Sequence, residues 1–376
     1  MIYLDNSATT KLGEEVLEAM LPWLRDGYGN ASSVHSLGRR ARVEIDDARE
    51  EIAAAIGARP AELIFTSGGT ESNNAVLKSA LEESALADKL AVSAIEHHAV
   101  LRPAEALRRR GFDVEILTVN ADCRVSPEMV AAVNHNRTLL SVMHANNETG
   151  AIQPIASIRN AAPDALLHVD AVQSLGKIHL RVDKLGVDFA SFSAHKIHGP
   201  KGVGALFIRK GIDFKAHQQG GGQERNRRAG TEPVALIAGF RAAVRTAVGQ
   251  TESYTAHTTS ITNAMRTILI AKIPSLRINT PSENALPNIL NVSFTDAERL
   301  DGEAVLQSLD MRGIAASNGS ACVSGSMQPS HTLSAMGLPI AEAKAAVRFS
   351  VSKFTDLAEA VEAAEALVEI IANMRE

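Results

Sequence analysis

The chain has 376 residues, of which 45% are apolar, and a formal net charge of -5 at pH 7. That length points to two domains rather than one core, and the slight acidity removes a global basic footprint for nucleic acid. Only two cysteines, Cys123 and Cys322, are present, which excludes a disulfide framework and a multi-cysteine zinc site and suits a reducing compartment.

Met1-Ile2-Tyr3-Leu4-Asp5 has neither the charged start nor the long apolar core of a secretion signal. No apolar run is long enough for a bilayer, so a soluble, cytoplasmic protein is expected. From about residue 60 to 210, short apolar runs alternate with helical patterns, the mark of an α/β unit with a mainly parallel sheet. The seven strand candidates are 63–66, 90–93, 114–117, 139–143, 166–169, 189–192 and 204–208, with helices at 72–81 and 99–109 among them. After helices at 233–247 and 254–270, the apolar run 288–294 opens a smaller α+β unit. In the last helix Leu357, Val361, Ala364, Leu367, Val368 and Ile371 are expected on one buried face.

Chemically suggestive residues follow the strands directly, where ligands bind in open α/β sheets. Ser193-Ala194-His195-Lys196 sets a lysine among small and cationic groups, a setting that suits an amine nucleophile and a Schiff base, pyridoxal phosphate being the commonest cofactor held so. Taken alone, Lys196 reads as a surface-loop lysine, and it gains its chemical meaning from the rest of the chain. Ser67-Gly68-Gly69-Thr70-Glu71-Ser72 opens a helix and is either a phosphate cradle or a plain turn; it lacks a Walker ending. Asp170 ends a strand with Gln173 three residues on, placing both on one helical face; it is either the partner of a pyridine nitrogen or a helix N-cap. Glu96-His97-His98 offers an imidazole to stack on a planar cofactor or relay protons, or a structural histidine. Ser317-Asn318-Gly319-Ser320-Ala321-Cys322-Val323-Ser324-Gly325-Ser326 surrounds one thiol with small polar residues, which favours a reactive thiol over a core one.

With Tyr3-Leu4-Asp5-Asn6-Ser7-Ala8-Thr9-Thr10, His144 to Gly150, Gly220 to Thr231 and Arg348-Phe349-Ser350, these stretches form an ordered set. By that set the chain resembles the cysteine desulfurases, fold-type-I pyridoxal-phosphate enzymes of aminotransferase class V, over nearly its whole length. The short loop around Cys322 resembles the nitrogen-fixation and iron–sulfur-cluster branch. The resemblance implies a large cofactor-binding domain at 16–255 and a small α+β domain formed by 1–15 and 256–376. It makes Lys196 the Schiff-base lysine that also moves the substrate's Cα proton, Cys322 the sulfur acceptor and His97 the ring-stacking acid/base group. It assigns Asp170 to the pyridine nitrogen, Gln173 to the phenolic oxygen, and Gly69, Thr70, Ser193 and His195 to the phosphate. Thr231 joins them from the neighbouring subunit of a homodimer, and Asn147 and Arg348 position the substrate.

The reaction so implied takes sulfur from L-cysteine, leaving L-alanine and a persulfide on Cys322 for an acceptor protein such as an iron–sulfur scaffold. No membrane or direct nucleic-acid partner is expected. Selenocysteine lyase, a cysteine-sulfinate-preferring relative and a non-catalytic sulfur-transfer partner are the rival readings. Ala31, Asn318 and Val351-Ser352-Lys353 depart from the usual pattern without removing a catalytic group. The chain stops at Glu376 without the longer tail of housekeeping members, which leaves the acceptor open.

Overall fold

A computed structural model describes residues 1–319 and 328–375. In chain order its strands are β1 (Ile2–Tyr3), β2 (Leu63–Thr66), β3 (Lys89–Ser93), β4 (Asp113–Leu117), β5 (Thr138–Ser141), β6 (Leu166–Asp170), β7 (Phe189–Ser193), β8 (Gly204–Ile208), β9 (Leu276–Ile278), β10 (Ile289–Phe294), β11 (Ile314–Ala315) and β12 (Val347–Ser350).

Seven of them form one sheet in the order β2-β8-β7-β6-β5-β3-β4. Pairing is parallel from β7 through β6, β5 and β3 to β4, whereas β8 runs antiparallel to both β7 and β2. The physical reason is the short return from Ser193 to Gly204, which lacks the crossover helix that a parallel pairing requires. Inner strands are buried on both faces and therefore read as continuous apolar runs, while the edge strand β4 carries Asp113 and Glu115. The expected mainly parallel seven-stranded α/β fold is thus what the chain adopts.

Two apolar layers cover this sheet, one including Ile45, Ile52 and Phe240 from flanking helices and the other Val76, Leu90, Val100 and Leu206. A separate core gathers Ile2 and Leu4 with Leu290, Val292, Phe349 and the helix Leu357–Asn373. Its sheet is antiparallel, β12-β10-β9, with Asn291 opposite Arg348. Of the face expected on the last helix, Ala364, Leu367 and Ile371 are buried and Val361 and Val368 partly so, but Leu357 is 50% exposed; Ala360, Ala363, Ala366 and Ile370 complete the buried face, because small alanines let the helix approach its neighbours closely. No helix among the described residues is long and apolar enough to cross a membrane.

Candidate active site

At the end of β7 the chain turns immediately through Ala194–Lys196. The turn is tight: Gly199 donates its N–H to the Ala194 carbonyl at 2.9 Å, and a Cβ on Gly199 would sit 2.7 Å from that oxygen. The N-terminal segment crosses over it. Thr10 donates to the His195 carbonyl through both its backbone N–H (3.1 Å) and its hydroxyl (2.9 Å), and its hydroxyl accepts from the His198 N–H (2.8 Å). Lys196 Nζ donates to the carbonyls of Ser7 (2.5 Å) and Ala8 (2.6 Å). Burial, with the Arg348 cation second, pushes Lys196 down to about 8. At that pH about half of it is free amine, the form that adds to a carbonyl.

The adjacent strand β6 ends at Asp170, whose Oδ2 accepts from Asn73 Nδ2 at 2.6 Å and whose Oδ1 accepts from the Val172 N–H at 3.0 Å. Residues 172–177 form successive turns rather than the expected helical face. Gly176 adopts φ +69°, and such a left-handed residue ends helical winding. Gln173 nevertheless reaches the site, donating Nε2 to the Ser7 carbonyl at 2.9 Å.

The third approach is the helix Gly69–Lys78 after β2. Its N-cap, Gly68, supplies no capping side chain, so first-turn N–H groups stay free for an anion. A Cβ on Gly69 would lie 2.5 Å from Val172 Cγ2, and one on Gly204 would lie 2.7 Å from Gly68 Cα, so glycine at these positions keeps the helix start against the sheet. His195 Nδ1 lies 3.1 Å from Thr9 Oγ1, and burial, then the Lys196 cation, pushes the ring down to about 4. His97 caps the helix His98–Arg109 by accepting the Ala99 N–H at Nδ1 (3.0 Å), which leaves its ring proton on Nε2. Desolvation lowers its pKa and keeps the ring neutral.

Arg348, on β12, is 3% exposed. Nη2 donates to Asp5 Oδ1 at 2.6 Å and Nη1 to the Asn147 carbonyl at 2.9 Å, while the buried Nε has no hydrogen-bond partner among the described residues. A guanidinium so held, with donors left over, is poised for a carboxylate.

One cavity is lined by Gly69, Thr70, His97, Asn147, Asp170, Gln173, Ser193, His195, Lys196 and Arg348. Thr231 does not line it; it is exposed, on a loop anchored by the buried Glu224, which receives Arg49 at 2.6 and 2.9 Å and the Phe65 N–H at 3.0 Å. Cys322 lies outside the described residues. Next to that segment, the Arg348 N–H donates to the Ser317 carbonyl at 2.5 Å, and Glu148 accepts the hydroxyls of Ser330 (2.5 Å) and Thr332 (3.0 Å). The second cysteine, Cys123, is fully buried, with its thiol pushed up to about 12 by desolvation. Sequence reasoning missed Asn73, Asp5, Lys177 and the Ser7 and Ala8 carbonyls. Asn73 follows Thr70 by one helical turn, and that spacing was the available signal; a backbone carbonyl leaves none.

An anion-binding helix start with hydroxyl and imidazole donors, a carboxylate on the next strand and an amine of depressed pKa suit a phosphorylated pyridine aldehyde. The sequence profile of the aminotransferase class-V family matches residues 2–363. Cysteine desulfurase IscS of Dictyoglomus turgidum is 43% identical, with 100% of this chain and 95% of that protein covered. Among solved structures, a NifS-like protein superposes with a TM-score of 0.91 at 36% identity, covering 99% of both chains. SspA in complex with cysteine superposes at 0.81 and 36% identity, covering 95% of this chain and 100% of that one. The chain therefore belongs to the class-V aminotransferases, and within them it is a cysteine desulfurase with pyridoxal 5'-phosphate as its cofactor and cysteine as its substrate.

Proposed function

We propose that the cavity divides the desulfurase reaction among groups arriving from the ends of β2, β3, β5, β6 and β7 and from β12. The observation that carries this reading is the single cavity shared by Lys196, Asp170, the start of the helix Gly69–Lys78 and Arg348. Gly69, Thr70, Ser193 and His195 would hold the phosphate of the cofactor, Asp170 its pyridine nitrogen and Gln173 its phenolic oxygen, with His97 against the ring. When bound, pyridoxal phosphate supplies an aldehyde for the substrate amine and a conjugated ring that takes up electrons from Cα. Arg348 grips the substrate carboxylate, and Asn147 orients the substrate beside it. Lys196, near its own pKa at neutral pH, both accepts and returns the Cα proton. Cys322 attacks the substrate sulfur as thiolate; the C–S bond breaks, an S–S bond forms, and the carbon skeleton leaves as L-alanine. A two-domain division at 16–255 against 1–15 with 256–376 would bring Lys196 from the large domain and Arg348 from the small one.

The position of Thr231 outside its own chain's cavity supports its service in the neighbouring site of a homodimer. The likeness to a protein named IscS supports a cytoplasmic role that delivers sulfur to an iron–sulfur scaffold. The test uses L-cysteine with a thiol reductant. Wild type releases alanine and sulfide, Cys322→Ser keeps the visible absorbance but loses turnover, and mass spectrometry finds the added sulfur on the Cys322 peptide. Full desulfuration by Cys322→Ser overturns the sulfur-acceptor role. Mixed dimers of Thr231→Ala and Lys196→Ala chains regain activity at one site if the sites are shared, and a fully active monomer by light scattering rules sharing out.

A further inference from the structure

Lys177 is a lysine that the reaction just described does not use, yet it is 3% exposed and lines a small neighbouring cavity with Lys196, Thr10 and Tyr254. Among the described residues its Nζ has one hydrogen-bond partner, Gln173 Oε1, at 2.7 Å. The charges acting on it are the cations Lys196 and Arg348, and burial is the first cause that pushes it down, to about 7. An ammonium group so enclosed, with no carboxylate bonded to it, weakens the fold unless something needs it there.

The Gln173 amide has two ends, each with a partner. Its Nε2 donates to the Ser7 carbonyl at 2.9 Å, and a backbone carbonyl can only accept. Its Oε1 faces Lys177, which as ammonium can only donate and as free amine still has N–H to donate. The two contacts agree on one orientation of the amide and forbid its flip. The second N–H of Nε2 is the donor left over on a side chain that lines the cavity.

We propose that Lys177 is a positioning residue: through the Gln173 amide it ensures that a hydrogen-bond donor, not an acceptor, faces the phenolic oxygen of the cofactor. This rests on the assignment of Gln173 to that oxygen. A donor there stabilises the ionised oxygen, so the bound cofactor gives up its titrating proton at lower pH. Without Lys177 the Ser7 carbonyl alone selects that orientation, so the amide turns its own oxygen inward, next to another oxygen, for a larger share of the time and the midpoint moves up.

The experiment titrates the visible absorbance of the cofactor-loaded protein against pH and measures cofactor retention on dialysis. Lys177→Met is expected to raise the midpoint by about one pH unit, the size of one net hydrogen bond. Gln173→Ala is expected to raise it similarly, and the double variant to go no further. Lys177→Gln, which keeps an N–H donor without charge, restores most of the wild-type midpoint and serves also if Lys177→Met does not fold. An unchanged midpoint in a cofactor-retaining Lys177→Met protein overturns the proposal. So does a fully additive double variant, or a Lys177→Gln protein that shifts as far as Lys177→Met, since either makes Lys177 a plain charge. A wild-type protein without visible absorbance would instead defeat the cofactor assignment itself.

Discussion

Two neighbouring strand exits, after β6 and after β7, each carry a lysine of lowered pKa, Lys177 buried and Lys196 half-buried, yet they are built for different work. After β7, Lys196 is held by the backbone carbonyls of Ser7 and Ala8, which belong to a segment far away in sequence. Neutral carbonyls hold the amine without pairing its charge, and it lines the cavity where a carbonyl group would enter. After β6, Lys177 is held by Gln173, and Asp170 by Asn73 and the Val172 N–H. There the side chains bind in two pairs, and Gln173 is held in turn by the Ser7 carbonyl. A lysine with a lowered pKa is therefore not a nucleophile by that fact alone; what surrounds its nitrogen and whether it opens on the cavity decide its part.

The strongest break of this contrast is Lys196→Ala. It should remove the lysine-linked visible absorbance and slow turnover by about 10⁴-fold or more, since the proposed roles of covalent link and proton carrier are both lost. Absorbance spectra and alanine release measure the two losses separately, and an unchanged spectrum would return the assignment to the other exit. Next in size is Arg348→Lys, which belongs to neither exit. One ammonium cannot reproduce two parallel N–H donors, so KM for L-cysteine should rise about 10- to 100-fold with a smaller change in kcat.

Labelling the cofactor-free protein with an amine-selective acylating reagent sharpens the comparison directly. Lys196 has a folded pKa near 8, below the 10.5 of an ordinary lysine, so it is cationic and unreactive below that pH and becomes free amine as pH rises through it. Its labelling rate should level off above about pH 9, where surface lysines are still accelerating. Lys177, with a pKa near 7, is free amine still earlier but is enclosed, and it should label only on unfolding. Peptide mapping across a pH series reads both; fast labelling of Lys177 in the folded protein would erase the distinction. The smallest effect is expected from Asn73→Ala, which strips one donor from Asp170 Oδ2 and should lower the stability of the cofactor-free protein by about 1–3 kcal/mol in denaturant titration.

The composition and order of the chain already contained the fold class, because strands buried on both faces must read as apolar runs and the residues after them must carry the polar work. Lys196, Asp170, Gln173, Thr70 and His97 were legible for that reason: each directly follows a strand or opens the helix behind one. Arg348 was legible only through resemblance to a family, since nothing local marks an arginine inside β12. Three-dimensional structure alone decided what completes them. The pairing of Arg348 with Asp5 spans almost the whole chain, as does the packing of β1 on β11 that brings the N-terminal segment over Lys196. Asn73 meets Asp170 across the gap between a helix and a strand, and the turns after β6 replaced the helix that spacing suggested because Gly176 takes a left-handed backbone. Periodicity reports which face a residue occupies along its own element. Which distant carbonyl or carboxylate it meets is set by how elements cross, and that is determined by packing over long sequence separations.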